Sequence, residues 1–422
     1  AISCKPLMTS KRTTSMHGES IRRKALAVLT LALVSCGPGN DNNQPGTNNT
    51  TTGNNGTTTN AELREAVLLN VGSAVIVAQQ EDFARKAAAL TVAIEAWQGD
   101  KTAPSRAAAQ EAWKEAMLAW QRIEVYQLGP AGIMGQVAGG ENIRDAIYSW
   151  PISSACRVDQ EIVAEDYADA ATFFAEERVN VRGLDAMERL LFDESYENAC
   201  SAVSEINSSG SWDALGEEGI DANRAAYALA LAKDVQTRAD SLVDHWSPDG
   251  KDFLGEFSKA GGGSSTYASS QEALNALSDA LFYIEKETKD MKLAIPAGVS
   301  GCEQDTCPED RESLDANFSK EQMIANLEAF RDAFTGLEAE GFDDLLISIG
   351  AEQLSADMLK LTDETIAALE AWPGTLEEQL ENDPQSVVDA YTKASELGTL
   401  LKTQFVSTLD LEIPQRAEGD ND

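Results

Sequence analysis

Asp185 and Glu188 stand three residues apart in the run Gly183-Leu184-Asp185-Ala186-Met187-Glu188-Arg189-Leu190-Leu191-Phe192. On a helix that spacing puts both carboxylates on one face. Leu184, Met187, Leu190 and Leu191 form an apolar stripe beside it, so the two acids are expected at the edge of a core. Oxygen donors so placed suit a hard cation such as iron(III) or calcium. They also suit an ion-pair lattice in which Arg182 meets Asp185 and Glu188 meets Arg189 or the neighbours of Arg178.

Hydrolytic chemistry is poorly supplied. A catalytic zinc ion takes two or three histidines and a nearby general base, and the chain holds 2 histidines. His17 sits in the leader described below. His245 lies in Val243-Asp244-His245-Trp246-Ser247-Pro248, near a helix end, where it reads as a cation meeting the helix dipole. There is no H-E-x-x-H and no G-x-S-x-G, and no strand precedes a glycine-rich phosphate loop. A binding protein is the expected class, not an enzyme.

The elements that must position these groups are helices. From Ala61 onward helical periodicity dominates and β-branched alternation is scarce, so the fold class is all-α. The pattern predicts helices over residues 62–97, 104–127, 157–177, 181–192, 217–246, 270–292, 319–336, 352–371 and 384–409. Ala228, Leu231, Val235, Ala239, Leu242 and Trp246 keep the three-and-four spacing of a bundle seam. Stops fall at Gly99, Gly129-Pro130, Pro248 and Pro373-Gly374. The low-complexity run Gly261 to Ser265 divides the helical domain, 61–412, into lobes of about 61–258 and 266–412, each long enough for an antiparallel bundle; an acidic tail, 413–422, follows.

The beginning of the chain reads as an address. Met16 is the expected start, followed by the basic Arg22, Arg23 and Lys24 and the apolar run Ala25 to Val34, a secretory signal too short to span a membrane. Leu33-Val34-Ser35-Cys36 has the form of a bacterial lipobox, so residues 1–35 are expected to be removed and Cys36 to carry the lipid. Acyl chains on Cys36 would hold the protein to the membrane, each buried methylene contributing about 0.8 kcal/mol. Gly37 after the cysteine points to the outer membrane, with the domain facing the periplasm. Residues 36–60, nearly all Asn, Thr, Gly, Asp, Gln and Pro after the cysteine, form a disordered tether reaching about 25–30 Å.

With 70 acidic against 33 basic residues and a formal charge of −37, a nucleic-acid partner is excluded on electrostatic grounds. Of the 6 cysteines, Cys4 precedes the expected start and Cys36 is the anchor. The other four read as two disulfides of an exported protein. Cys302 and Cys307 share a loop bounded by Gly298, Gly301 and Pro308, which leaves Cys156 to pair with Cys200.

Several stretches resemble the imelysin family of bacterial envelope proteins. Gly183, Asp185 and Glu188 fall on its GxHxxE signature, with Asp185 in the place of the histidine. Ala112-Trp113-Lys114-Glu115-Ala116, Trp120, Glu124 and Gly129-Pro130 look like its AW-x-x-A-x-x-x-W-x-x-x-E helix; Ser149-Trp150-Pro151, Leu277 to Pro296 and Phe330 to Leu346 are also similar. Trp113 and Trp120 read as core aromatics. The resemblance covers most of residues 61–410 and implies a pair of four-helix bundles and a link to iron uptake. It also implies that Glu124 joins Asp185 and Glu188 around a cation. Because the family is classed with metallopeptidases, that activity is the alternative in the enzyme class. A polysaccharide or envelope protein bound between the bundles is the third.

Overall fold

The computed structural model describes residues 55–414. The expected signal, Cys36, most of the tether and residues 415–422 of the tail lie outside them. Among the described residues there is no strand, only an isolated bridge between Met134 and Val137.

The first helix runs as α1, Asn55–Asn70, through a π-helical stretch, Val71–Val77, into α2, Ala78–Asp100. Then come α3, Ala103–Glu124; α4, Ile143–Ile147; α5, Ala155–Ala164; α6, Ala170–Glu176; α7, Gly183–Phe192; α8, Glu205–Ser208; and α9, Ser211–Trp246. The second half holds α10, Phe253–Ser258; α11, Ser270–Leu281; a π-helical segment, Ile284–Ala294; α12, Ser319–Thr335; α13, Phe342–Ser348; α14, Glu352–Glu370; α15, Leu376–Asn382; α16, Pro384–Leu400; and, after a π-helical turn, α17, Val406–Leu409. The expected helix over 157–177 is broken. Glu165 adopts a left-handed conformation (φ 58°) that closes α5, and α6 restarts after Asp169, whose carboxylate caps it by accepting from the Thr172 N–H. The short helices α4, α8, α10, α13 and α15 fall outside the predicted spans, being too short to display a period.

Two antiparallel bundles result. In the first, α2, α3, α7 and α9 close around Phe83, Leu90, Trp113, Trp120, Leu184, Leu231 and Leu242. In the second, the Ile284–Ala294 segment, α12, α14 and α16 close around Leu277, Phe330, Phe334, Met358, Leu369 and Leu397. The cores do not divide the chain at 261–265. Val67, Leu68, Val71, Val75 and Ile76 belong to the second core and Phe83 onward to the first, so one continuous helix enters both. Phe253, Leu254 and Phe257 of α10 also join the second core. A boundary read from loop composition sees flexible sequence, and not that an apolar stripe can change partners along one helix.

Both expected disulfides are formed, Cys156–Cys200 and Cys302–Cys307. The first ties α5 to the loop after α7; the second closes the loop leading toward α12. No described helix is long and apolar enough to cross a membrane.

Candidate functional site

The start of α7 is shaped by Gly183. Its φ of +82° is costly for any residue with a Cβ, and an added Cβ would lie 2.4 Å from the Ile147 carbonyl oxygen. Trp113, fully buried on α3, fixes the next residue by donating its indole N–H to the Leu184 carbonyl at 2.9 Å. Gly183→Ala is therefore expected to lower stability by ~2–4 kcal/mol, combining backbone strain with overpacking. Chemical denaturation would check it, and a loss below ~1 kcal/mol would mean that the Ile147 strand of chain yields freely.

Beyond this turn α7 carries Asp185 and Glu188 as the helical spacing predicts, both more than nine-tenths buried. The ion-pair lattice expected for them does not form. Arg182 turns to Asp234 (2.7 Å), and Arg189 makes two 2.9 Å bonds to Asp159. Both arginines find carboxylates on other helices, Asp234 on α9 and Asp159 on α5. Asp185 instead accepts the Ser149 hydroxyl at 2.7 Å, the Ser149 N–H at 3.3 Å and the Ala186 N–H at 3.1 Å. Glu188 accepts the N–H groups of Asp315 and Ala316, each at 3.0 Å. Among the described residues neither acid has a basic partner.

Burial pushes the Asp185 carboxyl up to about 6, against the opposing pull of the Ser149 hydroxyl. It pushes Glu188 further, to about 8, although the Ala316 N–H favours the charged form. Both side chains line one cavity of ≈ 320 Å³, together with Tyr148, Trp150 and Pro151 and with residues 309–311 and 313–315. Arg189 and Arg311 reach the same cavity but are engaged elsewhere, Arg311 with the Pro308 carbonyl (2.6 Å), Asn317 (2.9 Å) and Glu377 (3.2 Å). The uncommitted charge on the wall is negative.

The family model for imelysin matches residues 76–401. The chain belongs to the imelysin family. Two solved structures share the fold. An imelysin-like protein from Psychrobacter arcticum 273-4 is 18% identical, with a TM-score of 0.63 over 84% of this chain and 98% of that one. A protein from Parabacteroides distasonis ATCC 8503, described as an iron-regulated protein A precursor, is 17% identical, with a TM-score of 0.65 over 83% of this chain and 95% of that one. No curated protein matches the chain by sequence.

In this chain the third expected ligand does not join the pair. Glu124, at the end of α3, is fully buried but receives Arg144 at 2.6 and 3.1 Å, so its charge is already neutralised. Arg144 itself continues to Asp145 (3.0 Å). Among the described residues no group of three or more His, Cys, Asp or Glu is disposed to hold a metal ion. His245 belongs elsewhere: its Nδ1–H donates to the Ser241 carbonyl at 2.5 Å and its Nε2 faces Glu141 at 2.8 Å. Trp113 and Trp120 are wholly buried core aromatics, packed on Phe192 and Phe83.

Residues 309–315, Arg144 and the role of Ser149 were not singled out by sequence reasoning. Ser149 lay in a stretch resembling the family but carried no sign of a task. The 309–315 wall had no signal at all beyond following Pro308.

Proposed function

We propose that this member of the imelysin family is a non-enzymatic binding protein of the bacterial cell envelope that takes up a hard cation, iron(III) foremost, at Asp185 and Glu188. One observation carries the reading: two buried carboxylates, oriented by neutral donors alone, face a common cavity. A buried carboxyl without an ionic partner leaves its countercharge to be supplied by a ligand, and oxygen-only donors favour hard cations. Two acids leave a cation's coordination incomplete. At ~30 Å³ per water the cavity has room for a hydrated ion, or for iron carried by a small organic chelator.

Hydrolysis by zinc finds little support, because the donors at the cavity are carboxylates and the described histidine is bonded elsewhere. The expected lipid at Cys36 and the tether after it support attachment to the outer membrane, with the helical domain in the periplasm. The description of the Parabacteroides structure as iron-regulated is in keeping with a role in iron acquisition.

The test is metal analysis of the full chain, purified without a histidine tag, followed by calorimetric titration with iron(III) citrate, calcium, copper and zinc. Stoichiometric binding of one hard cation is expected, weakened at least tenfold by Asp185→Asn. Absence of binding to every cation would refute the reading and turn attention to a polysaccharide or an envelope protein.

A further inference from the structure

We infer that Glu312, which does not line the cavity, is the positioning residue for the 309–315 stretch that does; the inference rests on the cation reading above. That stretch is irregular backbone. After the short turn Pro308–Asp310 it contains a left-handed residue at Ser313 (φ 51°), and another follows at Asn317 (φ 50°). No helical or sheet ladder holds such a segment, so side chains must.

Glu312 lies at its centre and is fully buried. Its Oε1 accepts the Tyr148 hydroxyl at 2.8 Å and the Gln121 amide at 3.1 Å, while Oε2 meets the Lys292 ammonium at 2.9 Å. Its own carbonyl accepts the Ser319 hydroxyl. Gln121 belongs to α3 of the first bundle, Lys292 to the π-helical segment of the second, and Tyr148 itself lines the cavity. One side chain thus registers the irregular segment against both bundles. Three and four residues later the same segment presents the N–H groups of Asp315 and Ala316 to Glu188. The place of Glu312 therefore sets where the Glu188 carboxylate points, as outer partners of metal ligands generally do.

The probe is terbium(III), an oxygen-seeking trivalent ion whose luminescence is sensitised by nearby indoles; Trp150 lines the cavity. Titrations of the full chain count only the component lost in Glu188→Gln. Glu312→Gln is expected to weaken that component by about 10- to 100-fold. The double variant Lys292→Met/Glu312→Leu separates positioning from mere stability: with no buried charge left unpaired, its melting temperature should return toward wild type. Its affinity should stay low, because leucine accepts nothing from Tyr148 or Gln121. Wild-type affinity in the double variant would overturn the inference alone. A wild-type protein with no component sensitive to Glu188→Gln would overturn the cation reading and the inference with it.

Discussion

Glu188→Gln is expected to make the cation-free protein more stable than wild type by ~3–5 kcal/mol at pH 9, and by almost nothing at pH 4. The folded protein holds the Glu188 carboxyl at about 8, against an ordinary 4.5, because burial penalises its charge. A carboxyl raised in this way binds a proton in the folded state while the unfolded chain has lost it. Stability from that proton is complete below 4.5 and is lost as the pH rises through 8. At ~1.4 kcal/mol per unit the span corresponds to the figure given. Glutamine keeps an acceptor for the Asp315 and Ala316 N–H groups and never acquires the charge. Its amide N–H faces a cavity open to water.

The same linkage predicts the pH dependence of the proposed function. Below pH 8 a cation must displace the Glu188 proton, so affinity should rise with pH, by as much as tenfold per unit between 6 and 8. Urea denaturation from pH 4 to 9, beside calorimetry in buffers of differing ionisation heat, measures both. Equal stability of the two proteins at pH 9 would show that the Glu188 charge is not confined as its burial indicates.

Lys292→Met is expected to cost ~3–5 kcal/mol, the typical loss when one member of a buried ion pair is removed. The Lys292 ammonium is wholly buried and donates to Gln121 (2.8 Å) and Asn326 (2.9 Å) beside its contact with Glu312. Burial already raises the Glu312 carboxyl while Lys292 draws it down, so removing the lysine leaves that carboxylate to protonate or to unfold its surroundings. The amide oxygens of Gln121 and Asn326 lose a donor at the same moment. Denaturant midpoints would measure the effect. A loss under ~1 kcal/mol would indicate that water enters and solvates the abandoned groups.

How far these groups could be read from sequence differs residue by residue. Glu285, Lys289 and Lys292 have the spacing of a solvated helix face with an i, i+4 ion pair, yet all three are fully buried. The periodicity of a charged face is the same whether it meets water or opposite charges brought by other elements. Lys402 reaches Glu285 at 2.8 Å from more than a hundred residues away, and no local pattern announces that. Glu124 was recognisable as an acid continuing an apolar face and therefore in need of a partner. That its partner is Arg144 depends on how the irregular chain after Gly129 returns to α3.

The sequence by itself determined the all-α class, the bundle seam, the two disulfides and the placement of Asp185 and Glu188 on one face of a helix. These follow from short-range spacing, local cysteine arithmetic and helical geometry, which need no knowledge of the rest of the molecule. Only the tertiary structure decided that one helix serves both cores, that Glu124 is spent on Arg144, and that Ser149 and the N–H groups of Asp315 and Ala316 orient the two acids. The physical reason is that a buried polar group takes whichever donor or countercharge the packing brings within about 3 Å, and those neighbours come from segments far apart along the chain.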